Sequence, residues 1–389
     1  MQAADFTSDS PGTLHPVGAG LDGFVPDPLP RRMPLPPRLE ILAGEAERVI
    51  GRLGGMLHGG GSPLNPHLVG RPLLRREAIE SSRIEGTFTT PEQLALLDSE
   101  EDEATEVSSD TREVQNYLVA LDWAMSELPR LPISQRMIRG IHERLMRGVR
   151  GDGERPGDFR TVQNFIGSSQ NPAKARFVPP PAAELPRLLK DLEEFIHEPP
   201  AERRYSRLIR LALVHYQFET IHPFQDGNGR VGRILIPVSI YSEQPADPPL
   251  YLSSYFEERR TDYYDLMLSV SQRGAFADWI EFFLAGVRDS TLASIDVAHA
   301  LFAIRQEYLA KAQAERWPAA LLKVIDALFE APVLTIRRVE TLGQVSTPTA
   351  SEYIKRLEAA GIVTEFTGKA RNRKYMASRL LTAVHQRKS

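Results

Sequence analysis

Twelve consecutive residues constrain this chain more than any others: His222-Pro223-Phe224-Gln225-Asp226-Gly227-Asn228-Gly229-Arg230-Val231-Gly232-Arg233. The segment before them sets Leu208, Leu211, Ala212, His215 and Phe218 at helical spacing, which predicts a helix. Pro223 and the Gly-Asn-Gly turn cannot easily continue it. A second apolar segment, from about 230 to 242, predicts a new helix. The stretch is then a loop that delivers backbone N–H groups to a helix N-terminus, an arrangement that binds anions. Gly227 and Gly229 allow positive φ and close approach of the backbone to a phosphate. Arg230 and Arg233 stand about one helical turn apart, so both guanidiniums can reach one polyphosphate. Asp226 is a hard oxygen ligand suited to Mg²⁺. His222 has the one side chain here whose ordinary pKa suits a general base near neutral pH. Base, metal ligand and phosphate cradle together imply nucleotide transfer onto a hydroxyl.

The stretch closely resembles the signature of the Fic family, H-P-F-x-[D/E]-G-N-[G/K]-R-x-x-R, and every fixed position is filled. The resemblance implies transfer of AMP from ATP to a Ser, Thr or Tyr hydroxyl of a protein. Some relatives use other donors, and some remove AMP. It implies that His222 is the base and that Asp226 holds Mg²⁺. The nucleotide would lie against Phe224, Gly227, Asn228, Gly229, Arg230 and Gly232, with the Asn228 side chain and Arg230 orienting the phosphates. Arg233 would take the γ-phosphate.

Further upstream, residues 73–85 predict a helix that ends at Gly86 as its C-cap. Ser81 and Glu85 lie four apart on one face. With Gly86 they are similar to the family's inhibitory motif, [S/T]-x-x-x-E-[G/N]. The resemblance implies that Glu85 pairs with Arg233, competing with the γ-phosphate for the same donor. Between 157 and 181, two short β-prone runs flank a polar turn and predict a hairpin. The resemblance makes it a flap that holds the target's extended segment, with Ile166 and Gly167 nearest the site. It also brings Tyr263 and Tyr264 to the edge of the adenine; without it, paired tyrosines on a helix read as packing.

At 389 residues the chain has room for two or three domains of about 100–200 residues each. It has no cysteine, which rules out disulfides and thiolate metal sites and fits a reducing cytoplasm. No apolar run approaches the roughly 20 residues of a membrane helix, and no secretory signal is recognisable. Composition thus points to a cytoplasmic protein without a membrane segment. Residues 1–37 are rich in Pro and Gly and predict an extended arm. Residues 38–130 predict a helical module, with a glycine loop at 54–61, a turn at Asn65-Pro66 and a solvated acidic run at 98–106. Residues 131–315 would form the Fic core and the helices that follow, with a kink at Pro237. The fold class expected is mainly α.

From 316 to 389 the chain holds 13 Lys and Arg against 6 Asp and Glu. This segment is therefore basic on an otherwise acidic protein. Three helices, capped at Thr335 and Ser346, precede a strand at 361–366 and a basic tip at 369–375. The pattern resembles a winged helix-turn-helix, used either on DNA or for protein contact. A homodimer and self-modification are compatible with the pattern. Two other readings use the same residues: AMP removal assisted by Glu85, and a DNA-binding regulator whose nucleotide site is a sensor.

Overall fold

The computed structural model describes residues 2–18, 20–58, 67–97, 108–149, 155–167, 171–369 and 371–386. The acidic run at 98–106 and the Asn65-Pro66 turn lie outside them. The chain opens with a hairpin, not the extended arm expected from its prolines. Strands β1 (Gly12–Gly18) and β2 (Leu21–Pro26) pair antiparallel with Leu14 opposite Phe24. Pro16 stands beside the register irregularity in β1 and Pro26 closes β2, positions where a strand tolerates proline. Phe24 is fully buried, packs on Phe6 and Phe177, and its N–H donates to the Val178 carbonyl at 2.9 Å.

Helices follow in the order α1 (Pro37–His58), α2 (His67–Ile84), α3 (Pro91–Leu97), α4 (Ser109–Glu127), α5 (Gln135–Leu145), α6 (Leu185–Ile196), α7 (Arg207–Ile221), α8 (Asn228–Glu243), α9 (Ser253–Glu258), α10 (Arg260–Arg273) and α11 (Phe276–Ala314). Gly54 and Gly55 do not open a loop: buried Leu53 and Leu57 carry α1 past them to His58. Helix α2 begins at His67, six residues before the expected start, and runs through Pro72. Helix α8 likewise continues through Pro237 to Glu243. Ser134 caps α5 by accepting from the Met137 N–H.

The C-terminal elements are α12 (Ala319–Glu330), β3 (Val333–Leu334), α13 (Ile336–Gly343), α14 (Thr347–Ala359), β4 (Thr364–Glu365), β5 (Tyr375–Met376) and α15 (Ser378–His385). The strands form one antiparallel sheet in the order β3-β5-β4. Thr335 caps α13 as expected. The Ser346 hydroxyl meets Thr349 Oγ1 instead of a backbone N–H.

Contacts divide the chain into two compact units. The first comprises Met1–Arg52, Ser81–Gly86 and Asn116–Thr291; the second comprises Leu53–Glu80, Thr87–Gln115 and Leu292–Ser389. In the first, α7 packs between α6 and α8, and α5 packs on α8. Helix α7 is buried almost all round, as suits a central helix. Aromatic rings of Phe256, Tyr263, Trp279 and Phe283 surround His215 on it. In the second unit α13 packs on α12 and α14, and Ala95, Val333, Met376 and Leu381 share a small core.

Among the described residues no helix is long and apolar enough to cross a membrane.

Candidate active site

The turn between α7 and α8 is held by backbone geometry that few sequences supply. His222 ends α7 in the left-handed region, φ 50°, where a side chain is uncommon and worth explaining. Gly227 starts α8 from φ 77°, a conformation natural to glycine. Between them the Asn228 side chain closes the loop. Its Oδ1 accepts from the Phe224 N–H and its Nδ2 donates to the Phe224 carbonyl, both at 2.8 Å. The Asn228 amide expected on the phosphates is thus committed to shaping the loop. Phe224 is fully buried beneath it and stacks on His142, ring centroids 3.8 Å apart.

Three residues without an assigned role in the sequence hold this turn from a distance. Gly157 N–H donates to His142 Nδ1 at 2.8 Å, so the ring proton sits on Nε2 and is donated to the Asp226 carbonyl at 3.1 Å. Burial pushes the His142 pKa down to about 4, which keeps this tautomer neutral. Buried Arg160 donates to the carbonyls of His222 (2.9 Å), Pro180 (2.7 Å) and Val162 (3.2 Å). Asn164 Nδ2 reaches the Phe224 carbonyl at 3.0 Å. Histidine, arginine and asparagine are common enough that only their placement reveals this work.

His222 Nδ1 lies 3.2 Å from the Glu219 carbonyl, which can only accept, so Nδ1 carries the proton. Burial first, against the hydrogen bond to Glu219, brings the His222 pKa down to about 4. The ring is then neutral near pH 7, with Nε2 ready to accept a proton. His222 lines an open cavity of about 510 Å³ together with Asp226, Gly227, Asn228, Gly229, Arg233, Glu85, Ile166, Gly167 and Tyr264.

Asp226 is exposed on this cavity, and its Oδ1 accepts from the Gly227 N–H at 2.6 Å. Among the described residues no group of three or more His, Asp or Glu side chains gathers to hold a metal. A single exposed carboxylate fits Mg²⁺, which usually takes one or two carboxylates, substrate phosphates and water.

Arg233 is fully buried on α8 and its guanidinium is shared among the last residues of α2. Nε donates to Ser81 Oγ (2.8 Å); Nη2 donates to the Ser81 carbonyl (2.9 Å) and to Glu85 Oε1 (2.7 Å). Burial works against both charges, yet each holds the other ionised: the Glu85 carboxyl is lowered and Arg233 raised. Gly86, at φ 83°, completes the turn that leaves α2 after Ile84 and carries Glu85. A Cβ at Gly229 would stand 2.2 Å from Glu85 Oε1, so the carboxylate rests directly on the first turn of α8. The Glu85–Arg233 pair that the resemblance implied is present, and Ser81 joins it through its hydroxyl and carbonyl.

Other expected residues divide. Tyr264 lines the cavity, but Tyr263 is buried and its hydroxyl bonds His215 Nε2 at 2.8 Å, which makes it core. Arg230 is buried with Nη2 3.8 Å from Met146 Sδ, and neither it nor Gly232 lines the cavity. A Cβ at Gly232 would meet Glu219 Oε1 at 2.1 Å, so this glycine makes room for a neighbouring carboxyl. Among the described residues, the expected hairpin at 157–181 reduces to one antiparallel bridge, Ile166 with Phe177. Ile166 N–H donates to the Phe177 carbonyl and its own carbonyl accepts from Arg176 and Phe177, so its backbone faces inward, not toward a target. The prolines at 172 and 179–181 break longer pairing.

Residues 132–239 match the model of the Fic/DOC family, and residues 41–126 match that of the Fic/DOC family N-terminal region. The chain belongs to the Fic/DOC family. Among similar proteins, Protein adenylyltransferase Fic of Drosophila grimshawi is 26% identical over 187 residues, 47% of this chain and 34% of that protein. Protein adenylyltransferase Fic of Culex quinquefasciatus is 27% identical over 214 residues, 52% and 39% respectively. The chain thus spans under two fifths of the length of these relatives. The fold is similar to that of a Fic family protein from Desulfovibrio desulfuricans G20, with TM-score 0.56, 22% identity, and coverage of 90% of this chain and 98% of that one. A Fic domain containing signaling protein from Bacteroides thetaiotaomicron VPI-5482 gives TM-score 0.50 at 17% identity, covering 66% of this chain and 95% of that one. In Fic/DOC terms, the α7–α8 turn is the signature loop and α2 belongs to the N-terminal region.

Proposed function

We propose that this chain transfers AMP from ATP to a Ser, Thr or Tyr hydroxyl of a protein, and that Glu85 holds the activity down. The observation that carries the reading is a neutral His222 on the same cavity as Asp226, Gly229 and the Arg233–Glu85 pair. The names of the relatives, protein adenylyltransferase, support the donor and the substrate class.

His222 Nε2 takes the proton of the target hydroxyl, and the oxygen attacks the α-phosphorus. The bond from that phosphorus to the bridging oxygen breaks, and pyrophosphate leaves with the electron pair. Backbone N–H groups at Asn228 and Gly229 face the phosphates at the start of α8, while the Gly227 N–H is held by Asp226. Arg233 receives the γ-phosphate once Glu85 swings away. Asp226, with the donor's phosphates, would hold Mg²⁺, which neutralises the triphosphate charge. Residues flanking Ile166 hold the target segment, since the backbone of Ile166 is already paired. A chain without cysteine suits work in the cytoplasm.

The test is label transfer from α-labelled ATP with Mg²⁺, on purified protein for self-modification and on lysate for targets. Strong labelling in Glu85→Gly that vanishes in Glu85→Gly/His222→Ala supports the reading. No labelling in any folded, ATP-binding variant overturns it. Glu85 also faces the cavity with a third of its side chain exposed, which favours a second reading: water positioned for AMP removal. Glu85-dependent loss of AMP from a pre-modified target would support that instead.

A further inference from the structure

We infer that the segment from α12 to β5 binds double-stranded DNA, with the β4–β5 loop on the phosphates and the first half of α14 toward a groove. The inference is independent of the transferase reading. Between β4 and β5 the loop carries Lys369, Arg371, Arg373 and Lys374 and no carboxylate; the first three are exposed. The carboxylate nearest in sequence, Glu365, is turned into the loop. Its Oε1 accepts from the Thr367 N–H (2.8 Å), the Thr367 hydroxyl (2.6 Å) and the Gly368 N–H (3.0 Å). The loop's own donors satisfy most of its hydrogen-bonding capacity, and of the loop's cations it faces Arg373. Arg373 Nε donates to the Lys369 carbonyl at 2.9 Å, and Asn372 turns the chain at φ 52°.

Helix α14 complements that tip. Ala350, Tyr353, Ile354 and Leu357 bury one face. Exposed Ser346, Thr347 and Pro348 open the helix, half-buried Thr349 and Ser351 flank the buried face, and exposed Glu352 and Lys355 lie opposite it. Hydroxyls of this kind bond phosphates or base edges. The first half of the helix holds no acid except Glu352, which pairs with Arg356 at 3.3 Å. A helix about 10–12 Å across fits the roughly 12 Å major groove of B-DNA, whereas the A-form RNA major groove is deep and narrow. Binding of single strands calls for several stacked aromatic rings. Here Phe366 is the exposed large apolar side chain among the described residues of this segment.

The test is fluorescence anisotropy of the full chain with a labelled 30-base-pair duplex of arbitrary sequence, titrated from 50 to 200 mM salt. Four phosphate contacts give a slope of about −3.6 in log K against log salt, roughly a 150-fold loss over that range. Lys369→Ala/Arg371→Ala/Arg373→Ala should flatten the slope to about −0.9 and weaken binding at least tenfold at 50 mM. These three side chains are exposed, so its melting temperature should match wild type. Ser351→Glu, on the helix, should weaken binding while keeping the steep slope. Equal affinity in the triple variant, binding insensitive to salt, no binding below about 100 μM at 50 mM salt, or tighter binding of duplex RNA of the same sequence would each overturn the inference.

Discussion

Replacing Glu85 with glycine removes one oxygen from Arg233 and leaves the rest of its environment in place. Ser81 still accepts from Nε and Nη2, so the guanidinium keeps its position on α8. What disappears is the 2.7 Å ion pair with Glu85 Oε1 and a carboxylate resting on the first turn of α8. A charge-assisted hydrogen bond of this kind contributes about 1.5–3 kcal/mol net. Competition for Arg233 therefore weakens by about 10- to 150-fold, one decade per 1.4 kcal/mol. The negative charge beside the incoming triphosphate goes too, so the lower bound is conservative. The expected result is a rise of at least tenfold in kcat/KM for label transfer from α-labelled ATP. Glu85→Gln, which keeps the shape and loses the charge, should fall between wild type and Glu85→Gly. A Glu85→Gly variant that is folded and binds ATP yet stays within twofold of wild type would refute the competition argument.

Three further outcomes follow from the same geometry. The His222 pKa, brought down to about 4 by burial, keeps the base competent through the mildly acidic range. The acid limb of kcat/KM in Glu85→Gly should fall near pH 4 to 5, and a limb centred near 6.5 would contradict a buried neutral base. Asn228→Ala leaves the buried Phe224 N–H without its acceptor, at a cost of about 1–3 kcal/mol, so thermal melting should drop by several degrees and transfer should be lost. Melting at the wild-type temperature would mean the loop is held by other contacts. Burial raises the Glu219 carboxyl to about 8, against the pull of Arg233. A carboxyl whose folded pKa exceeds its unfolded value contributes stability below the unfolded pKa of about 4.5 and loses it as pH rises through 8. Glu219→Gln lacks that slope, so its melting temperature relative to wild type should climb from pH 5 to pH 9. A constant difference would show that Glu219 does not hold its proton in the fold.

What the sequence revealed of the site and what it concealed have the same physical origin. Histidine, carboxylate, glycines and arginine in a fixed short order made the α7–α8 loop readable as a unit, although the Asn228 amide shapes the loop and Phe224, Arg230 and Gly232 do not line the cavity. The Ser81–Glu85 contact with Arg233 joins residues about 150 apart and was legible only because the spacing of an acid and a glycine at a helix end repeats a family pattern. His142, Arg160 and Asn164 reach the same loop from 60 to 84 residues away through bonds to backbone carbonyls. A carbonyl is present at every residue, so no side-chain pattern announces such a partner. The N-terminal hairpin was hidden for the opposite reason. Its prolines read as an extended arm, yet Pro16 fits beside a register irregularity and Pro26 at a strand end. Buried residues were misjudged as nucleotide contacts, as at Tyr263. Adjacent tyrosines on α10 look alike in sequence, but the helical turn sends one hydroxyl to His215 and leaves the other ring on the cavity. His215 Nδ1 donates to the Gly232 carbonyl at 3.3 Å, so Nε2 can accept from Tyr263 only while the ring stays neutral. Burial, helped by the nearby Arg233 charge, keeps it so at about 3. One consequence is that the Arg233 charge, expected to act on phosphate and on Glu85, also helps keep neutral the imidazole that anchors α10 to α7.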